Sequence, residues 1–180
     1  MPPVFAVVGP SGAGKDTLLA ALVAARPGLR VLRRVITRPE AAGGEPFEGV
    51  DAAEFARRRA AGAFALDWQA HGLSYGIPRL PPGAEPVLFN GSRAMLAEAA
   101  RVFPGLRVLL VTAPPAVLAE RLAARGRESR AQIAARLARA GGYPMPEGLP
   151  VSPIDNGGAL DAAVAAALDA IAPQPAGQRG

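Results

Sequence analysis

Gly9-Pro-Ser-Gly-Ala-Gly14-Lys15-Asp16-Thr17 is the stretch that decides the fold, and it holds the one lysine of the chain. Every other basic side chain is arginine, so lysine stands only where a compact, flexible ammonium serves better than a planar fork. The spacing is G-x-x-x-x-G-K, the phosphate-binding loop. Before it lies the apolar, β-rich run Val4-Phe5-Ala6-Val7-Val8; after it, Thr17-Leu18-Leu19-Ala20-Ala21-Leu22-Val23 has helical spacing. Strand, glycine loop and helix, in that order, are the context the motif requires. Gly9, Gly12 and Gly14 admit backbone angles and close approaches that a Cβ forbids. The loop amides and the helix N-terminus then face an anion. Gly9, Pro10, Ser11, Gly12, Ala13, Gly14, Lys15, Asp16 and Thr17 are accordingly the expected nucleotide-binding residues, with Lys15 reaching the β- and γ-phosphates of ATP.

One position departs from the pattern. The residue after the lysine is usually Ser or Thr, whose hydroxyl binds Mg²⁺; here it is Asp16. A carboxylate is a good hard ligand for Mg²⁺, directly or through water. Asp16 also suits the positive end of the helix dipole, and both readings stand at this point.

At 180 residues the chain is expected to form one domain with a single substantial core. Half of the residues are hydrophobic and only 5% aromatic, so Ala, Leu and Val supply that core. The net charge is +5, but the arginines are spread along the chain without a block of stacking aromatics. A multiply phosphorylated small substrate explains the charge as well as nucleic acid does. The absence of cysteine excludes disulfides and Cys-bound metal and suits a reducing cytoplasm. Met1-Pro2-Pro3-Val4 does not open a leader, and no apolar stretch suggests a membrane span, so no membrane partner is expected.

Strand-like runs recur at 31–36, 86–89, 106–111 and 151–154, with helical patterns over 17–25, 52–61, 93–101, 116–125, 131–140 and 159–171. This alternation predicts an α/β fold, a parallel sheet with helices on both faces. Asp51-Ala-Ala-Glu54 has capping-box spacing and Pro115 can open a helix. Residues 62–78 break the alternation and read as short strands and turns inserted beside the sheet.

Further landmarks give a resemblance. Thr37-Arg38-Pro39, Gly44-Glu45, Gly62-Ala-Phe64, His71-Gly72 and Tyr75-Gly76 look like guanylate kinase. Arg121-Leu122, Arg125-Gly126 and the stretch from Ile133 to Arg136-Leu137 resemble its lid. The departures are specific. Leu66 stands where that family reads guanine with Glu, and Ile77 where a hydroxyl holds the acceptor phosphate. A second arginine after Thr-Arg is missing, with Glu40 and Ala41 in its stretch. Together with Gly-Lys-Asp-Thr, Trp68-Gln69-Ala70-His71-Gly72-Leu73, Tyr75-Gly76-Ile77-Pro78 and Asn90-Gly91-Ser92-Arg93, they resemble the ribose 1,5-bisphosphate phosphokinases of phosphonate degradation.

That resemblance implies a P-loop nucleotide-kinase fold over residues 1–172, with an acceptor-binding region within 31–90 and a lid at 121–140; residues 173–180 read separately as a flexible tail. It implies ATP and Mg²⁺ as reactants, a phosphorylated sugar as acceptor and 5-phosphoribosyl 1-diphosphate as product. Lys15, Arg125 and Arg136 are the implied catalytic residues, and Asp155 the residue near adenine. Arg38, Glu45, His71, Tyr75 and Arg93 are the implied acceptor residues. His71 equally serves a turn, Tyr75 and Trp68 equally serve packing, and Arg57-Arg58-Arg59 reads as a solvated helix face. The rival readings are guanylate or another nucleoside monophosphate kinase, and a non-catalytic interaction module. Leu66 and Ile77 oppose the first; the intact loop opposes the second.

Overall fold

A computed structural model describes residues 1–40, 46–126, 129–140 and 145–173. Strand β1 (Val4–Val8) is buried at every position because it is the middle strand of five. The order is β2 (Arg30–Leu32), β7 (Val87–Asn90), β1, β8 (Arg107–Thr112), β9 (Val151–Asp155), and every neighbouring pair is parallel. Parallel neighbours need crossovers, which the helices supply. Side chains of β1 alternate between two cores. Phe5 and Val7 join Leu18 and Leu22 of α1 (Lys15–Ala25) and Ala163, Ala167 and Ile171 of α6 (Leu160–Ile171). Val4, Ala6 and Val8 join Leu96 and Ala99 of α3 (Leu96–Val102), with Phe103. The expected α/β architecture, helices on both faces, is the one observed.

A second sheet lies beside the first, in the order β4 (Phe47–Gly49), β3 (Arg34–Ile36), β6 (Leu73–Pro78), β5 (Phe64–Ala70). The single strand expected at 31–36 is therefore two, β2 in the large sheet and β3 in the small one, separated by Arg33 alone. Residues 62–78 form the β5–β6 hairpin, and His71 and Gly72 at its tip have φ of 52° and 74°. Two successive positive φ values belong to a type I′ turn. A bulge between Phe64 and Leu66 sends their side chains to opposite faces. Phe64 stacks on Phe55 of α2 (Ala52–Ala60), ring centroids 4.7 Å apart. Leu66 instead enters the core beside Ile77, its cross-strand partner. Gly76 is obligatory here, since a Cβ would lie 2.7 Å from the Phe64 ring.

Helix ends follow local chemistry. Asp51 Oδ1 accepts from the Glu54 N–H at 2.7 Å, while the Glu54 carboxylate turns to Arg57 and Arg58, so the expected capping box forms on one side only. Pro115 opens α4 (Pro115–Ala124). Ser129 and Gln132 exchange hydrogen bonds of 3.3 and 2.8 Å at the start of α5 (Arg130–Ala140), a reciprocal cap. The helix expected at 93–101 opens as a 3-10 turn, Arg93–Met95, before α3. Of the tail expected at 173–180, residues 174–180 lie outside the described residues. Among the described residues no helix is long and apolar enough to cross a membrane.

Candidate active site

The buried β1 delivers the glycine loop to the open end of the sheet, where α1 begins at Lys15. Gly14 takes a left-handed φ of 84°, and a Cβ there would stand 2.5 Å from Asn156 Nδ2. No side chain caps α1, so its first-turn amides and the positive end of its dipole are directed at the loop. Lys15 Nζ donates to the carbonyls of Gly9 and Pro10 at 3.0 and 3.2 Å, folded over the loop it belongs to. Ser11 and Thr17 are exposed and Pro10 is half-buried. Ala13 is wholly buried, so it contributes backbone, not side chain.

Two side chains brace the outer carbonyls of this loop. Asn156 Nδ2 donates to Ala13 O at 2.8 Å, and Asn156 is 4% exposed. Arg121 on α4 donates to Gly12 O and Ala13 O at 3.4 Å each, and to Asn156 O at 2.8 Å. These donors fix the outer carbonyls of Gly12 and Ala13, while the Ala13 N–H is used within the loop, on Pro10 O at 3.2 Å. Neither bracing role was expected: the resemblance placed Arg121 in the lid and Asn156, with Asp155, in the loop near adenine. Asp155 is exposed and spends its carboxylate on the Gly157 N–H, 2.8 Å away, shaping the turn that presents Asn156. Arg125 is exposed at the end of α4, one helical turn beyond Arg121. Arg136 lies on α5, and its side chain is outside the described residues.

The residues expected to take the acceptor lie on the other side of the loop, near the ends of β7 and β3. Asp16 Oδ1 accepts from Asn90 Nδ2 at 2.9 Å. A cleft of about 370 Å³ is lined by Asp16, Asn90, Arg33 and Arg34, together with Leu19 and Val31. Arg38 follows β3 and stacks over Phe47, 4.4 Å from the ring centroid. Tyr75 stacks on Trp68 at 5.2 Å with 7° between planes, and Arg34 stands over Tyr75 at 5.5 Å. Arg93 is half-buried at the start of its 3-10 turn. His71 is exposed at the hairpin tip, where its positive φ serves the turn. Glu45 lies outside the described residues.

Arg57, Arg58 and Arg59 are committed to ion pairs with Glu54, Glu48 and Asp67, the last two carried by strands of the small sheet. Hydrogen bonds from Arg57 and then Arg58 pull Glu54 down from an ordinary 4.5 to about 2. Leu66 and Ile77 are 4% and 0% exposed, packed with Val8 and Phe89. Both departures from the guanylate-kinase pattern are thus core hydrocarbon.

A glycine loop at an uncapped helix start, beside a cleft bordered by guanidinium groups, suits phosphoryl transfer between two anions. Among the described residues no three acidic, His or Cys side chains cluster. Asp16 as a single carboxylate nevertheless fits Mg²⁺, which is held by one or two carboxylates and completed by substrate phosphates and water.

A family model described as AAA domain matches residues 4–141. A protein of Ruegeria sp. (strain TM1040) named ribose 1,5-bisphosphate phosphokinase PhnN is 56% identical over 167 residues, covering 90% of this chain and 87% of that protein. One of the same name from Pseudomonas fluorescens (strain SBW25) is 55% identical over 143 residues, 74% of this chain and 73% of its own. Among solved structures, guanylate kinase from Anaplasma phagocytophilum superposes with a TM-score of 0.65 over 95% of this chain and 84% of its own. Its sequence identity is 15%, so it speaks to the fold alone.

Proposed function

The chain belongs to the ribose 1,5-bisphosphate phosphokinase family, and from that we propose its reaction: transfer of the γ-phosphoryl group of ATP to the C1 phosphate of ribose 1,5-bisphosphate. The products are 5-phosphoribosyl 1-diphosphate and ADP, a step of phosphonate catabolism in the cytoplasm. An oxygen of the C1 phosphate forms the new P–O bond as the bond from Pγ to the β-phosphate oxygen breaks. The attacking phosphate has a second pKa of about 6, so it is anionic at neutral pH and needs no general base.

The work left to the protein is alignment and charge. The amides of Gly12 and Gly14 hold the β-phosphate, and Lys15 swings from its loop carbonyls to the β- and γ-phosphates. Arg125 and Arg136, on the lid at 121–140, close over the transferred group; an arginine in that role is worth roughly 10³–10⁵ in rate. Asp16 helps to hold Mg²⁺, which when bound neutralises charge on the transferred phosphoryl. Arg38 and Arg93 hold the attacking phosphate, with Tyr75 beside it. Residues 1–172 act as one kinase domain, with the acceptor region inside 31–90. His71 and Glu45 border the acceptor.

One observation carries this reading of the acceptor: Leu66 and Ile77 are core residues, so a purine edge meets hydrocarbon and leaves its N–H groups unpaired. The test is a parallel steady-state assay with ATP and either ribose 1,5-bisphosphate or GMP. The bisphosphate is expected to win by about 10⁴-fold or more, and Lys15→Ala to lose activity by orders of magnitude with unchanged circular dichroism. Efficient use of GMP, or near-normal turnover without Lys15, would overturn it.

A further inference from the structure

The proposed acceptor carries two phosphates, and only the one on C1 reacts. The other, on C5, is a dianion at the far end of the sugar and requires its own cation. Strand alternation picks a candidate. Ile36 pairs across to Tyr75, and Tyr75 to Trp68, so these side chains share one face of the small sheet with Leu66 and Ile77. That face is turned to the main sheet, because Leu66 and Ile77 pack on Val8 and Phe89. Arg34, two residues before Ile36, lies on the same face.

Its guanidinium is positioned rather than loose. β6 lies between β3 and β5, so Tyr75 is flanked by Arg34 at 5.5 Å on one side and by Trp68 at 5.2 Å on the other. The stack orients the planar fork and reduces the entropy lost when it binds. Arg34 borders the cleft that also contains Asp16 and Asn90. Its neighbour Arg33 is turned elsewhere, donating to Phe47 O at 2.7 Å and meeting Glu40 at 3.4 Å. Arg38 is stacked on Phe47. A planar guanidinium forms paired, charge-assisted bonds to phosphate and offers nothing to the N–H edge of a base.

We propose that Arg34, held on the Tyr75–Trp68 stack, binds the non-reacting C5 phosphate of the acceptor and is the residue that demands a bisphosphate. The inference rests on the reaction proposed above, and the experiment separates the two. Initial rates are measured with the full chain on ribose 1,5-bisphosphate and on ribose 1-phosphate, which keeps the nucleophile and lacks the second phosphate. Wild type is expected to prefer the bisphosphate. Arg34→Ala should raise the bisphosphate KM by roughly 10- to 100-fold, the effect of losing hydrogen bonds to a charged group. The ATP KM and the rate on ribose 1-phosphate should stay within about threefold, since neither engages this side chain. Arg34→Lys should keep part of the preference, and its melting curve guards against a loss of packing being mistaken for a loss of binding. An unchanged preference in Arg34→Ala, or an equal loss on both acceptors, overturns the role of Arg34 and leaves the reaction standing. A wild type that phosphorylates neither acceptor overturns both.

Discussion

At Asp16 the carboxylate gives one oxygen to Asn90 Nδ2 at 2.9 Å, leaving the second for a metal or a metal-bound water. If that is its use, Asp16→Ala raises the Mg²⁺ concentration for half-maximal rate by about tenfold or more, and Asp16→Ser recovers part of it. Identical Mg²⁺ titrations of the three proteins would instead leave Asp16 with its helix-dipole role alone. The loop was legible in the sequence because its glycines answer to backbone geometry and its lysine has no substitute in the chain. The arginines were not. Arg33, Arg34 and Arg38 are alike as letters, and only the fold sorts them into a pair with Glu40, a stack on Tyr75 and a stack on Phe47. In the same way Arg121 and Arg125 share a motif, but only the packing of α4 shows that Arg121 reaches Gly12 and Ala13.

Among elements, α2 is held against the small sheet by charge as well as by Phe55. Glu54 accepts from Arg57 and Arg58, Arg58 also meets Glu48 at 2.7 Å, and Arg59 reaches Asp67 at 2.9 Å. With its folded pKa lowered from 4.5 to about 2, Glu54 binds fewer protons in the folded than in the unfolded chain between those values. Its stabilisation is therefore complete above about pH 4.5 and is lost as the pH falls through 2. Glu54→Gln should flatten the acid limb of a melting-temperature profile between pH 4.5 and 2 and leave neutral activity intact; an unchanged limb would mean that other carboxylates set it. Element types were largely legible, since alternation and apolar period fix a strand or a helix from nearby residues. The split of 31–36 into β2 and β3 was not, because the run is uniformly strand-like and only its partners differ: β7 on one side of Arg33, β4 and β6 on the other.

Over the whole molecule the two sheets share one core. Leu66 and Ile77 come from the small sheet and are buried among Val4, Val8 and Phe89 of the large one. Leu66→Ala should cost about 2–5 kcal/mol, lowering the melting temperature by several degrees, and a melt within a degree of wild type would show the two sheets to be energetically separate. Leu66→Glu should fare worse, since it strands a carboxylate among hydrocarbon, and should not gain GMP as an acceptor. The contact proposed to exclude a purine is also one that holds the protein folded. Evolution toward a nucleotide acceptor is then closed to single substitutions: each first step lowers the yield of folded protein before any new activity can be selected. A lineage leaving this substrate must first accumulate stability elsewhere, or repack several core positions together.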